Sequence, residues 1–159
     1  MLLESILWLY NQRFCIIERH GRRHRGGIII NGTALLNMHN ASCVSGLHVR
    51  IDRKSKWGNP FKMDSEKDRL TVIWKYVFYI LEKNRLLEDI GFLNNKILAC
   101  WCSPSPCHGN VLIYLAERPE IVKGYKEGKI TARRIATDIF NLNGWNIPEE
   151  RKQANLFKF

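Results

Sequence analysis

Three cysteines and one histidine occur within nine consecutive positions, as Cys100, Cys102, Cys107 and His108. Thiolates and imidazole nitrogens are the ligands that zinc prefers, so these four side chains form a candidate metal site. Their spacing differs from the common paired C-x-x-C arrangement, and the adjacent Cys107 and His108 strain to reach one ion. The same residues also predict thiol chemistry, with Cys107 as nucleophile, His108 as acid or base and Cys102 as a further catalytic candidate. The third alternative, simple packing, explains so dense a cluster least well.

The flanking residues indicate a strand before this cluster and a helix after it. Residues 97–99 are a short apolar run, which is typical of a buried strand. Ser105 and Pro106 are an N-cap residue and a first-turn residue by type, and they predict a helix with Cys107 and His108 in its first turn. Unpaired N–H groups and the helix dipole stabilise a thiolate there. Open α/β sheets also bind ligands at the carboxyl ends of their strands.

A second candidate loop follows the half-buried strand predicted for residues 47–51. It contains Lys56, Trp57, Gly58 and Asn59, among basic residues and turn formers. These are the candidate substrate-binding residues: Trp57 to stack on a base, Asn59 to hydrogen-bond it and Lys56 to pair with a phosphate. The alternative is that Trp57 anchors the loop to the core. The two roles are compatible, because a rigid loop is a good place for a binding site.

Residue spacing predicts short strands at 28–30 and 34–38 and a long helix after them. Ser65 and Asp68 resemble the capping box that begins a helix. An apolar face at helical spacing follows and runs to about residue 84; its members are Leu70, Ile73, Val77, Ile80 and Leu81. A second short helix is predicted around residues 86–90.

Turn-forming residues divide the last third of the chain. Residues 118–120 are predicted to end the central helix, and 123–129 are predicted to form a polar link punctuated by glycines. Thr131 is predicted to cap a helix that carries Ile135 on its apolar face. Asn146 is predicted to begin one more helix.

The composition predicts one domain with an anionic partner. The 159 residues are 45% hydrophobic, enough for one substantial core. The formal net charge is +10, from 25 basic and 15 acidic residues, and such an excess favours nucleotides, nucleic acid or other polyanions. A basic, glycine-punctuated tract is either a phosphate-gripping arm or an exposed loop; its candidate nucleic-acid-binding residues are Arg19, Arg22, Arg23 and Arg25.

Cysteine usage and hydropathy predict a cytoplasmic protein. Five cysteines, three of them crowded together, are more typical of metal or thiol chemistry in a reducing compartment than of a disulfide framework. No apolar run approaches the roughly 20 residues that a membrane helix needs. The first ten residues lack the basic start of a signal peptide.

Two segments together resemble a family of unknown function from bacteria and their phages. They are KWGNPF at residues 56–61 and L-A-C-W-C, Pro104 and C-H-G within residues 98–109. The resemblance covers roughly residues 33–117, which divides the chain into an N-terminal extension (1–32), a family-like core (33–117) and a C-terminal helical extension (118–159). It implies a small three-layer α/β fold and adds Pro104, Gly109 and Asn110 to the candidate substrate-binding residues. Asn110 stands where the family has an acidic residue, which implies weakened turnover or binding alone.

We therefore expect a single Rossmann-like α/β domain with a short, mostly parallel sheet flanked by helices. The leading hypothesis is an enzyme that binds or modifies a nucleotide, nucleoside or nucleic-acid base in the cytoplasm of a bacterial or phage-infected cell. One alternative is a zinc-stabilised nucleic-acid-binding accessory protein without turnover, using the arginine tract. Another is a phage-type factor that acts on a host protein. The sequence specifies neither the reaction nor the oligomeric state. Zinc is the cofactor if the cysteine and histidine cluster binds a metal.

Overall fold

The sheet is short and parallel. The computed structural model describes residues 32–39 and 48–149. Within these residues, strands β1 (Ala34–Asn37), β2 (His48–Arg50) and β3 (Ile97–Cys100) form one sheet in the order β1-β3-β2, with both pairings parallel. The predicted α/β class and parallel sheet are confirmed. Because β3 is central, its carboxyl end lies between the carboxyl ends of both neighbours.

Five α-helices and two short 3-10 segments account for most of the other described residues. The helices are α1 (Arg69–Glu82), α2 (Asn84–Asp89), α3 (His108–Ala116), α4 (Pro119–Lys126) and α5 (Ala132–Leu142); the 3-10 segments are Glu66–Asp68 and Ile90–Leu93. In the described part of the chain, no helix is long and apolar enough to cross a membrane.

The start of α1 follows the predicted capping box. The Asp68 carboxylate accepts hydrogen bonds from the backbone N–H and the hydroxyl of Ser65, each at 2.9 Å. The 3-10 segment that Ser65 caps then runs directly into α1. The predicted apolar face is confirmed, with Ile73, Val77 and Ile80 each 2% exposed or less. Burial of this face against α3 and α5 stabilises the helix more than propensity does.

The two faces of the sheet carry different clusters. Leu98 and Cys100 of β3 belong to the main core, together with Leu35 and most buried residues of the helices. Ile97 and Ala99 point to the other face and join Leu36 in a smaller cluster. All four residues of β3 are buried, as expected for the central strand of a parallel sheet. Cys100 is therefore on the side of the sheet that faces α3.

Two predictions for the C-terminal third are wrong. Residues 123–129 are not a polar link, because α4 runs through Pro119–Lys126 with the proline in its first turn. Gly124 is needed there for packing: a Cβ on it would lie 2.7 Å from Cδ1 of Ile130. Asn146 begins no helix, since residues 145–149 have no regular structure. By contrast, Thr131 caps α5 as predicted, with its hydroxyl accepting from the N–H of Arg134 at 3.2 Å.

Some predictions lie outside the described residues, namely the strand at 28–30 and the arginine tract at 19–25. The division at residues 32 and 117 stays a prediction. Helix α5 nevertheless belongs to the main core. Ile135, Ile139 and Phe140 are part of that core, and each is 0% exposed.

Candidate metal centre

The loop between β3 and α3 turns sharply at the carboxyl edge of the sheet. The N–H of Ser105 donates to the carbonyl of Cys102 at 2.9 Å, so Ser105 closes a turn and does not cap the helix. The predicted helix start at Ser105 and Pro106 is wrong. Helix α3 begins at His108, and Cys107 is its N-cap residue in an extended conformation (φ −140°, ψ 148°).

Cys107 and Asn110 cap α3 together. The Cys107 sulfur accepts from the N–H of Gly109 at 3.4 Å, and the Cys107 N–H donates to Asn110 Oδ1 at 3.3 Å. This is a capping box built from a thiol and an amide. Cys107 is extended and outside the helix, and its sulfur lies 3.6 Å from Nδ1 of the adjacent His108.

Three side chains of this region meet closely enough to hold a metal ion. The ligand atoms of Cys100, Cys107 and His108 all lie within 4.8 Å of one another, and all three residues are buried. Cys107 Sγ is 3.6 Å from His108 Nδ1. In a tetrahedral zinc site, the Zn–S bond is about 2.3 Å and the Zn–N bond about 2.0 Å. The sulfur and the nitrogen are then about 3.5 Å apart. The observed separation matches one edge of such a tetrahedron.

The orientation of His108 leaves one ring nitrogen free for a ligand. Nε2 lies 2.7 Å from the carbonyl oxygen of Ile51, the residue that follows β2. A carbonyl only accepts, so Nε2 carries the proton and the lone pair of Nδ1 faces the Cys107 sulfur. Burial lowers the pKa of His108 and favours this neutral imidazole. A backbone carbonyl that fixes the tautomer is the usual outer partner of a metal-binding histidine.

Cys102 lies beside this group but is not one of the three residues whose ligand atoms meet within 4.8 Å. Its side chain is half-buried, and hydrogen bonds from the thiols of Cys100 and Cys107 hold its pKa far below the ordinary value. Conversely, the hydrogen bond to Cys102 raises the pKa of Cys100 to about 11. Arg69 of α1 donates to the Pro106 carbonyl at 3.2 Å, next to Cys107, and forms an ion pair with Glu66 at 2.7 Å. Among the three thiols, Cys102 is the one whose pKa is lowered.

Cys107 is shielded from any substrate. The residue is 1% exposed, and its hydrogen bond with Cys100 raises the pKa of its thiol well above the ordinary value. A buried, protonated thiol is a poor nucleophile. Of the three clustered cysteines, Cys102 has the largest exposed fraction and the most thiolate character.

The loop of residues 56–59 is held rigidly against α1. Trp57 is 3% exposed, and its carbonyl accepts from the buried Tyr76 hydroxyl at 2.6 Å. Asn59 is 8% exposed; its amide donates to the Val72 carbonyl at 3.2 Å, and its Oδ1 accepts from the Phe61 N–H at 2.9 Å. Trp57 therefore anchors the loop and presents no free ring face for stacking. The polar atoms of the Asn59 side chain are occupied by hydrogen bonds that hold the loop.

Gly58 and Lys56 differ in their surroundings. A Cβ on Gly58 would lie 2.6 Å from Arg53 Cα and 2.6 Å from the Asp52 carbonyl oxygen, so the backbone leaves room for glycine alone. Lys56 is exposed and pairs with the carboxylate of Asp89. The structure does not bring the side chain of Lys56 to the cysteine cluster.

The three positions added by the family resemblance have different environments. Pro104 is exposed in the loop after β3. Gly109 is buried, and a Cβ there would collide with the side chains of Leu35 and Ile51. Besides capping α3, Asn110 donates to Asn143 Oδ1 at 3.0 Å. The tract residues Arg19, Arg22, Arg23 and Arg25 lie outside the described part of the chain.

Sequence reasoning missed Arg69, Asp52 and Trp101 as neighbours of the cluster. Asp52 follows β2 at the same edge of the sheet and is 7% exposed. Its Oδ2 accepts from Arg50 at 2.6 Å and from Trp101 Nε1 at 3.2 Å. The position of Asp52 directly after a strand was an available signal, since residues there line ligand sites of parallel sheets. Nothing in the spacing connects Arg69 to the cluster, because 33 residues separate it from Cys102.

The chain belongs to the family described as Domain of unknown function (DUF4326), whose model matches residues 36–118. This match covers β2, β3, the last two residues of β1, α1 to α3 and every residue of the cysteine and histidine cluster. The predicted membership in a family of unknown function is confirmed. Neither a curated protein nor a solved structure matches the chain.

Proposed function

We propose that this protein binds one zinc ion through Cys100, Cys102, Cys107 and His108, and that the metal serves a site for a nucleotide, nucleoside or nucleic-acid base. The observation that most supports the metal is the distance of 3.6 Å between His108 Nδ1 and Cys107 Sγ, while Nε2 of the same ring donates to a backbone carbonyl. With Nε2 fixed by the carbonyl, Nδ1 presents its lone pair beside the Cys107 sulfur, which is the orientation that a metal-binding histidine requires.

The donor set favours zinc over the hard cations. Soft thiolates select zinc, copper(I) or iron–sulfur clusters, whereas calcium and magnesium require oxygen ligands. Three thiolates, one neutral imidazole and Zn²⁺ leave one negative charge in a largely buried site. The guanidinium of Arg69, which donates to the Pro106 carbonyl at 3.2 Å and pairs with Glu66 at 2.7 Å, lies beside this charge. When bound, the metal would crosslink β3 to the start of α3 and replace the protons that the thiols share.

The nucleotide part of the proposal is supported by the position of the site and by the charge of the chain. The cluster lies at the carboxyl edge of a parallel sheet, where α/β proteins bind their ligands. The formal net charge of +10 favours a phosphorylated partner. An enzyme would show turnover of such a ligand, whereas a zinc-stabilised accessory protein would bind nucleic acid without it. A factor acting on a host protein would do neither.

A second candidate function is a metal-free thiol enzyme. The observation that favours it is the half-exposed position of Cys102, together with hydrogen bonds from the Cys100 and Cys107 thiols that lower the pKa of its own thiol. In this alternative Cys102, not the buried Cys107, is the nucleophile, and His108 stays neutral beside the cluster.

Elemental analysis of zinc separates the two candidates. Protein purified under reducing conditions without chelator is expected to carry about one equivalent per chain. His108→Gln and Cys100→Ser are expected to lose it, whereas His39→Gln, a change in an exposed histidine outside the cluster, is expected to retain it. Zinc-free protein in which Cys102 alone alkylates rapidly would overturn the metal proposal in favour of the thiol enzyme.

A further inference from the structure

Trp101 is an exposed aromatic ring in a fixed orientation. It lies between the candidate ligands Cys100 and Cys102 and is 52% exposed. Its indole N–H donates to Asp52 at 3.2 Å, and the ring of His39 meets it edge-on with centroids 5.0 Å apart. An apolar ring that is both solvent-exposed and held on two sides is preorganised for stacking.

The backbone beneath Trp101 is fixed as well. Asn37, the last residue of β1, donates to the Trp101 carbonyl at 3.3 Å and also to the Ser103 carbonyl. The ring is thus positioned by residues at the carboxyl ends of all three strands. Such a ring binds a planar ligand with little further loss of conformational entropy.

Asp52, which holds the ring, has an unsatisfied oxygen. Oδ2 accepts from both Arg50 and Trp101, but among the described residues no donor reaches Oδ1 with hydrogen-bond geometry. The N–H of Lys54 lowers the pKa of this carboxyl only as its smallest contribution. An unpaired carboxylate oxygen is costly when 93% of the residue is buried. Because Oδ1 is closed off from solvent as well as unpaired, Asp52 acts through Oδ2, which holds the indole N–H and the Arg50 guanidinium in place.

A cation completes the surroundings. Arg50 shares Oδ2 of Asp52 with the indole N–H, and its side chain is 45% exposed. A guanidinium has five N–H donors, so a group paired with one carboxylate oxygen still offers donors to a phosphate. The nearby Arg53 is less available, because it donates to the carbonyls of Asn59 and Phe61.

From this arrangement we propose that Trp101 is the stacking platform for a nucleobase that carries a phosphate. The base stacks on the exposed face of the indole and Arg50 binds the phosphate, while Asp52 holds both groups through its Oδ2. This rests on the proposed nucleotide class and assigns the stacking role to Trp101 instead of the buried Trp57. A purely apolar partner would desolvate the half-exposed Arg50 without pairing it, so the chemistry favours a base that carries a phosphate.

The test compares nucleotide binding by variants of exposed aromatic residues. Isothermal titration of the zinc-loaded protein with 5′-GMP and 5′-AMP gives the affinity of the free nucleotide, and a short single-stranded oligonucleotide gives that of the polymer. Trp101→Ala is expected to weaken binding of the tighter probe by about 5- to 150-fold, the usual effect of losing one stacking ring. Trp101→Phe is expected to recover much of it. Phe92→Ala, at a ring 63% exposed elsewhere on the surface, is the matched control and is expected to change nothing.

Arg50→Ala separates the phosphate contact from the base contact. It is expected to weaken binding of 5′-GMP but not of guanosine. The proposal is overturned if Trp101→Ala binds like the wild type, or if none of these probes binds. Zinc measured on the same samples keeps the two proposals distinct. Zinc with nucleotide binding that Trp101→Ala leaves unchanged refutes only the platform, zinc without binding of any probe refutes the nucleotide class as well, and base binding through Trp101 without zinc refutes only the metal.

Discussion

Gly58→Ala tests whether the loop beside the candidate site is as rigid as its contacts indicate. The Ser55 N–H donates to the Asp52 carbonyl at 2.9 Å, and the Gly58 N–H donates to the Ser55 carbonyl at 3.1 Å. These bonds press Gly58 against the start of the turn. A new Cβ would lie 2.6 Å from both Arg53 Cα and the Asp52 carbonyl oxygen, so backbone atoms must move to admit it.

Gly58→Ala is expected to lower the free energy of unfolding by about 2 to 3 kcal/mol, the upper part of the usual range for overpacking. The value is high in the range because backbone atoms move less easily than the end of a side chain. For a domain of this size that corresponds to a Tm lower by about 4 to 12 °C. Since Ile51, whose carbonyl holds His108, precedes the displaced residues, zinc affinity is also expected to fall.

Thermal and urea unfolding followed by circular dichroism measure this effect. Gly91→Ala is the matched control: no atom lies within 4 Å of its Cβ position, and Gly91 is not among the positive-φ glycines. There the substitution is expected to be neutral or to stabilise by about 0.4 to 1 kcal/mol, through the unfolded chain. A Gly58→Ala protein as stable as Gly91→Ala would refute the argument.

Two further substitutions test the packing under the loop and the charge beside the metal. Tyr76→Phe leaves the buried Trp57 carbonyl unpaired and is expected to cost about 1 to 3 kcal/mol in urea unfolding; the result would be contradicted by a value as small as that of Tyr79→Phe, at a half-buried neighbour. Arg69→Ala removes the cation beside Cys102 and is expected to lower zinc affinity about 10- to 100-fold in chelator competition. An equal loss in Arg85→Ala, at an exposed arginine of α2, would speak against a specific role for Arg69.

The elements that bury a regular apolar pattern were predictable. Residues 97–99 form most of the fully buried β3, and the spacing from Leu70 to Leu81 produces the buried face of α1. Periodicity identifies such segments because one face, or both, must leave water. The crowding of cysteines with His108 was also visible, since all of them come from one loop.

The start of α3 was not predictable by residue type. By residue type, Ser105 and Pro106 favour a helix start more than Cys107 does. In the structure, Ser105 instead closes a turn with the carbonyl of Cys102, and the helix begins after it. The helix is capped instead by the Cys107 thiol and the Asn110 side chain, which meet only in the folded backbone. Residues 118–120 do follow the end of α3, as predicted, but proline also suits a first helical turn, and α4 begins at Pro119.

The roles of the tryptophans depend on tertiary packing. Trp57 and Trp101 both follow basic or polar residues in loops, and composition does not distinguish a buried ring from an exposed one. The structure buries Trp57 beneath α1 and leaves Trp101 half in solvent, beside Asp52. Contacts such as these join residues about 50 positions apart, so a single sequence carries no local signal for them.

The central claim is a zinc ion held by three sulfurs and one nitrogen, and X-ray absorption at the zinc edge tests it most directly. The zinc-loaded protein is expected to show three Zn–S distances of about 2.3 Å and one Zn–N distance of about 2.0 to 2.1 Å. In His108→Gln the nitrogen contribution of an imidazole is expected to disappear, whereas in His39→Gln it is expected to persist. A first shell made only of oxygen and nitrogen, or a protein that takes up no zinc when reduced, would contradict the account.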